Sequence, residues 1–457
     1  MQPPSATSDR QPHQLHRSFG LLQATAMNMS NMVGVGPFLT IPLILGAMGG
    51  PQALCGWLAG TVIALCDGLV WAELASAAPG SGGSFEYLKV AYGGTRLGRV
   101  LPFLFIWQFI LSGPLEVATG NIGFAQYATY VLGWEPERAR ALAPWIAAGV
   151  GTLAVLLLYR KIESVGRLMV VLWAGMILTL AVLLIPGVWH LSPQAAFAFP
   201  PGAFSLSLGF VLGFGQATQL AMYDFLGYYS VCNIGDEVKQ PSRTIPRSIL
   251  ISVLVIAVIY LTLNLSIISV VPWEAAARSS HIAAEFMERL YGRTAAVLLT
   301  VLICWTAFAS VFALLLGYSR IPYAAARDGY FFSAFSRLHP RGDFPHVSLL
   351  VLGAITIIAS FFPLDAVISA MMVTRILIQF IAQNVAVVLL RRRGATTSSF
   401  RMALYPLPCL IALLGWLFIF ATTGVWYILG GVGTLILGLA AYAAWSRRHP
   451  DAAVRNA

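Results

Sequence analysis

Two long apolar stretches, each interrupted by glycine near its middle, constrain this chain more than any other feature. The first runs from about Phe19 to Met48 and contains Asn31-Met32-Val33-Gly34-Val35-Gly36-Pro37-Phe38. The second runs from about Phe204 to Ile234 and contains Tyr223-Asp224-Phe225-Leu226-Gly227. Hydrocarbon offers no partner to a free N–H or C=O, so a spanning helix breaks only where it faces protein or a solvated cavity. Two such breaks at corresponding places in two halves of a chain point to a ligand site near the bilayer midplane. The plainer reading is two kinked packing helices, because Gly and Pro are common in membrane helices. Choosing between these readings takes the rest of the chain.

Composition sets the class. Of 457 residues, 58% are hydrophobic and 10% charged, and the mean hydropathy is +0.77. A water-soluble fold of this length has no use for so much apolar surface, whereas a bundle of membrane helices does. A span takes about 20 apolar residues. Twelve intervals qualify, near 19–48, 52–78, 101–132, 143–159, 166–187, 204–234, 246–271, 294–318, 346–362, 365–390, 402–422 and 425–446. The expected fold is therefore an all-α polytopic membrane protein with one transmembrane domain over 19–446. Residues 1–18 and 447–457 read as polar tails. No cleavable signal peptide is expected, because 1–18 lack an apolar core segment.

The net charge of +10 invites a nucleic-acid reading, but its distribution argues against one. With a cytoplasmic N-terminus, the inside loops and tails hold 22 of the 28 Lys and Arg residues, and the outside loops hold five: Arg138, Arg140, Arg278, Arg289 and Arg293. The remaining one, Arg375, sits well inside a span. This is a positive-inside bias, which orients a protein in the cell membrane with both termini cytoplasmic. Anionic lipid headgroups are compatible partners, and nucleic acid is not an expected one.

Chemistry-bearing clusters are scarce. Cys55, Cys66, Cys232, Cys304 and Cys409 all fall in apolar spans, without redox or metal spacing, and read as packing residues. The seven histidines lie in loops and tails, and no nucleophile–base pair stands out. Neither an enzyme, a metal site nor a cofactor is expected. Pro272 to Arg293 carries apolar residues at helical spacing between its charges and predicts an amphipathic helix on the outer rim.

Four stretches resemble the amino acid–polyamine–organocation transporter superfamily. They are Val33 to Phe38; Ala72-Glu73-Leu74 through Pro79-Gly80-Ser81-Gly82-Gly83 to Ala91-Tyr92-Gly93; Gly235-Asp236-Glu237-Val238-Lys239-Gln240-Pro241 to Arg247; and Ser319-Arg320 with Ala326-Arg327-Asp328-Gly329. The resemblance covers nearly the whole chain. It implies a LeuT-like five-plus-five inverted repeat, repeat one over about 19–187 and repeat two over about 204–390. Two extra helices over about 402–446 would follow.

It also implies a substrate site between the two breaks. Val33, Gly34, Val35, Gly36 and Phe38 would hold an α-carboxylate. Tyr223, Asp224, Phe225 and Gly227 would hold the α-amino group, with Tyr223 as a gate. Half-helix N-termini suit an anion and freed carbonyls suit an ammonium. The chain departs from relatives with a hydroxyl between the two glycines, since Val35 has none, and Pro37 lacks an N–H. Glu237 and Arg243 would belong to an inner gate.

Asp67, Glu116, Asp224 and Arg375 lie near the middle of spans. A charge there costs about 2.5–3.5 kcal/mol on the insertion scale, so it pairs or serves function. One permanent cation cannot neutralise three acids. Asp224 is favoured over Glu116 and Asp67 as the partner of Arg375, because it lies in the break. Met176 occupies the place where proton-using relatives carry a lysine. Coupling would then run through a midplane acid, through sodium near the first break and Ser310, or not at all, with H+ preferred over Na+. The resulting expectation is a secondary active transporter of amino acids working by alternating access. The alternatives are a polyamine or other organic amine carrier, and a transport-inactive receptor or scaffold on the same fold.

Overall fold

The computed structural model describes residues 19–78, 82–159, 162–340, 342, 344–394 and 400–448. Both expected tails (but for residues 447 and 448) and the Pro79-Gly80-Ser81 part of the second motif lie outside the described residues. The described chain is helical throughout, and its isolated bridge joins Phe19 to Val238.

The first apolar stretch forms α1 (Leu21–Met32) and α2 (Gly36–Met48), bent by 53° at the glycines. Val33 leaves the helix in an extended conformation, and α2 restarts with Gly36 and Pro37 in its first turn. Proline suits that turn, where an N–H has no intrahelical acceptor. Next come α3 (Leu54–Ala77), α4 (Ser84–Tyr92), α5 (Leu97–Val131), α6 (Pro136–Leu158) and α7 (Ile162–Trp189).

The one-turn α8 (Pro193–Ala196) leads to α9 (Leu208–Phe225). Ser207 caps α9 by accepting from the Phe210 N–H, and α9 ends where Leu226 turns extended and Gly227 adopts φ 112°. A 3₁₀ strap, Ser230–Glu237, follows. The bridge ties it to the start of the chain, with the Phe19 N–H donating to Glu237 O and the Lys239 N–H to Phe19 O.

The remaining elements are α10 (Pro241–Val270), the one-turn α11 (Trp273–Ala276), α12 (Ile282–Tyr318), α13 (Arg320–Arg327), α14 (His346–Ala359), α15 (Leu364–Arg375), α16 (Ala382–Arg392), α17 (Leu407–Thr422) and α18 (Val425–Arg448). A π-helical stretch, Ile376–Ile381, joins α15 to α16 directly after Arg375. The single rim helix expected over Pro272–Arg293 is instead split into the one-turn α11 and the first part of α12, from Ile282. α12 bends at Gly292, and Ile282, Ala283, Phe286 and Met287 pack inward.

Helix covers each of the twelve intervals. Among the described residues, seven helices are long and apolar enough to cross a membrane, eight if the bent α1–α2 pair is one span. The residues 174–189 of α7, together with α14 and α17, are shorter apolar helices. Trp189 and Trp426, at the ends of α7 and α18, are exposed, as interfacial tryptophans are.

The packing order places the breaks at the centre. The half-helix α2 lies on α9, while α1 lies on α10 and the strap. α3 sits between α9 and α10, and α5 runs along α12 and α15. The site is thus walled by α5 and α12 and floored by the two broken elements.

Candidate functional site

Two glycines bring the breaks into contact. A Cβ on Gly36 would run into Asp224 Oδ1 and lie 3.3 Å from Tyr223 Cε1. A Cβ on Gly227 would lie 2.8–3.0 Å from the Asn31 backbone and Cβ, at a φ that disfavours other residues. Gly227 thus meets the Asn31 backbone of the first break, and Gly36 meets the Asp224 and Tyr223 side chains of the second. A Cβ on Gly34 would sit 3.0 Å from Ser310 Oγ, so α12 closes the third side.

Between them lies a cavity of about 30 Å³, lined by Gly34, Val35, Gly36, Glu116, Tyr223, Asp224 and Ser310 among others. That is room for one or two water molecules. Asn31, Ser310 and Leu314 also line a second cavity of about 860 Å³. This vestibule runs past Met27, Ser30, Met176 and Tyr318 to Arg320, Arg327 and Asp328. The exposure of Arg327 and Asp328 marks the open end of the route.

Hydrogen bonds pin the opposite side. The Tyr127 hydroxyl donates to Phe38 O at 3.0 Å, and the His281 Nε2–H donates to Gln126 O at 2.8 Å. The Tyr130 hydroxyl donates to Glu288 at 2.6 Å, beside Arg293. These contacts lock α5 to α2 and to the first turns of α12.

The four intramembrane charges separate into three groups. Arg375 Nη2 lies 2.6 Å from Glu116 Oε2, and both side chains are more than nine-tenths buried. Its Nε–H donates to Ser112 Oγ at 3.1 Å, and the Tyr318 hydroxyl donates to the same Glu116 oxygen at 2.7 Å. The expected Arg375–Asp224 pair is thus corrected to Arg375–Glu116. Arg375 closes α15, whose flank meets α5, so its reach ends on the α5 face rather than at the break.

Asp224 instead accepts from the Thr40 hydroxyl at 2.5 Å through Oδ2, while Oδ1 is buried without a hydrogen-bond partner. Asp67 lies apart from both, away from the lining of either cavity. It accepts from the Tyr228 hydroxyl (2.5 Å), Trp416 Nε1–H (3.1 Å) and Asn384 Nδ2–H (3.4 Å).

Of the residues expected to touch substrate, Gly34, Val35, Gly36, Tyr223 and Asp224 line the small cavity. Val33 and Phe38 are buried behind it, and Phe225 packs on Trp57 and Tyr260. Gly227 serves the approach of the breaks. The Tyr223 hydroxyl is bonded to Thr119 Oγ1 at 2.6 Å.

Glu237 and Arg243 form no ion pair among the described residues. Glu237 acts through its backbone carbonyl, because the strap pairs with Phe19. A partly buried pair, Glu73–Arg391, makes two contacts of 2.5 and 2.7 Å, with the Met402 N–H on the same carboxylate.

Sequence reasoning missed Thr40, Thr119, Ser112 and Tyr318, each of which holds a site residue. Thr40 follows Gly36 by one helical turn, which places it on the break-facing side. That spacing was the available signal.

Comparison with known proteins places the chain in a family. A family model described as amino acid permease matches residues 19–444. The branched-chain amino acid permease BcaP of Bacillus subtilis is 25% identical over 452 residues, 95% of this chain and 94% of the relative. The serine/threonine exchanger SteT of the same organism is 23% identical over 437 residues, covering 93% and 95%. The mouse Asc-type amino acid transporter 1 is 26% identical over 356 residues, covering 74% and 63%.

Proposed function

The chain belongs to the amino acid permease family, and from that membership we propose that it moves amino acids or closely related amines by alternating access. It is a multi-pass membrane protein and a transporter rather than an enzyme. In the proposed reading all twelve helical intervals span. The first five and the next five form an inverted repeat, and both termini are cytoplasmic. The orientation follows the excess of Lys and Arg on the side where the vestibule opens.

The observation that carries the mechanism is one-sided access. A wide vestibule reaches the meeting point of the breaks from one face, while Tyr127, His281 and Tyr130 pin the other. Under the proposed orientation this is an inward-facing form with its binding cavity collapsed. Substrate would part α1 from Ser310 and α12, where contact is side chain against glycine rather than interlocked packing. The backbone at Gly34 to Phe38 and the carbonyls of Tyr223 to Phe225 would line it, with Tyr223 as gate. In the outward form Tyr127 releases Phe38, and the vestibule closes.

Coupling is proposed to use protons. The Na+ alternative needs oxygen ligands at the first break, yet residues 309–313 of α12 supply one hydroxyl, Ser310. Thr306, one turn earlier, is committed to Thr179 and the Leu302 carbonyl. Saturable uptake by the purified chain in liposomes tests the function. Binding without uptake would make it a receptor on a transporter fold and refute the proposal.

A further inference from the structure

Among the described residues, Asp224 is the intramembrane acid that leaves an oxygen without a partner in the binding cavity. Glu116 also lines that cavity, but Arg375 neutralises it at 2.6 Å. Asp67 is held elsewhere by three neutral donors. Asp224 is 2% exposed, forms no ion pair among the described residues, and leaves Oδ1 without a partner. A buried carboxylate in that condition lacks a compensating cation.

The position of Oδ1 decides which cation. It lies against Gly36, in the first turn of α2, where a Cβ would strike it. The positive end of a half-helix is where a substrate's own carboxylate would dock. Here that place holds a carboxylate of the protein, fixed by Thr40 one turn further along α2. The other donors are thin as well: Pro37 has no N–H, Val35 has no hydroxyl, and the Phe38 N–H is spent on Val35 O at 3.1 Å. A zwitterionic amino acid would bring a second anion into contact with the first, and the neighbouring cation, Arg375, is already paired with Glu116.

Resting on the transport reading above, we propose that Asp224 is a built-in carboxylate standing in for the substrate's. The site then selects primary monoamines without an α-carboxylate over the parent amino acids. One unneutralised acid calls for one ammonium, so a second amino group earns nothing. The apolar walls, Val35, Leu226 and Leu314 in the cavity and Met176 in the vestibule, suit a hydrocarbon tail.

The test uses the full chain in liposomes and matched pairs: isoamylamine against leucine, phenethylamine against phenylalanine, and butylamine against putrescine. Each monoamine should compete for uptake at a concentration roughly tenfold or more below its amino acid, a ratio worth about 1.4 kcal/mol. Putrescine should do no better than butylamine. Asp224→Asn, which keeps an acceptor for Thr40, should erase the amine preference.

Amino acids outcompeting their amines in the wild-type chain would overturn the inference while leaving the transport function intact. So would equal loss of both classes in a folded Asp224→Asn, or a clear preference for the diamine. Absence of saturable uptake of any member would instead sink the transport reading, and this inference with it. The wild-type competition series needs no variant to fold.

Discussion

Removing Arg375 tests the central assignment most directly. Arg375→Met keeps length and apolar bulk but strands Glu116, which is 7% exposed and would retain the Tyr318 hydroxyl alone from its present polar partners. At a charge separation of about 4 Å and an effective dielectric near 20, the pair's gross attraction is about 4 kcal/mol. Most of it offsets the desolvation of two ions. Losing one partner of such a pair typically costs about 3–5 kcal/mol, since the remaining charge stays buried. The folded-to-unfolded ratio would fall on the order of a hundredfold or more.

Glu116→Gln should be damaging for the mirrored reason. The double variant, Glu116→Gln with Arg375→Met, should be more stable than either single one, with a coupling of about 2 kcal/mol or more. Equilibrium unfolding in mixed detergent gives the four free energies, and size-exclusion profiles give the folded fraction. Additive effects, or an Arg375→Met cost below about 1 kcal/mol, would refute the pair. Rescue of Arg375→Met by Asp224→Asn rather than by Glu116→Gln would restore the partner expected from sequence.

Three further outcomes are expected. Gly36→Ala should abolish substrate binding with normal membrane insertion, because the new Cβ meets Asp224 Oδ1 and Tyr223; full uptake by this variant would remove the break from the site. Uptake should follow an inward proton gradient without sodium, and a strict sodium requirement measured in sodium-free buffer would reverse the proposed coupling. Burial between Tyr127 and Tyr130 holds the His281 imidazole below its ordinary value, so the neutral ring fits the pinned face opposite the vestibule. Closure there is strongest above a free histidine's pKa of about 6.5 and weakens as pH falls through it. His281→Gln should flatten that dependence in pH-resolved labelling of the pinned face, and an unchanged profile would exclude His281.

Sequence alone determined the class of this protein, the intervals of its helices and the places where two of them break. Each follows from local chemistry: an apolar run of sufficient length crosses hydrocarbon, Gly227 takes a positive φ that other residues resist, and Gly34 and Gly36 leave room for close approach. That Glu116, Asp224 and Arg375 share a depth was equally legible. Which acid Arg375 meets was not. Depth is set by position along one helix, whereas pairing depends on how each helix is rotated and which neighbour it packs against. The structure turned Arg375 toward α5 and Glu116, left Asp224 to Thr40, and closed Asp67 among Tyr228, Asn384 and Trp416. Glu237 differs for the same reason: it lies on a strap that pairs with Phe19 through backbone, so its carboxylate is not what holds the strap. Contacts across 184 to 349 residues of chain exist only after the helices have packed, and at that step the acids of one sequence acquire different partners.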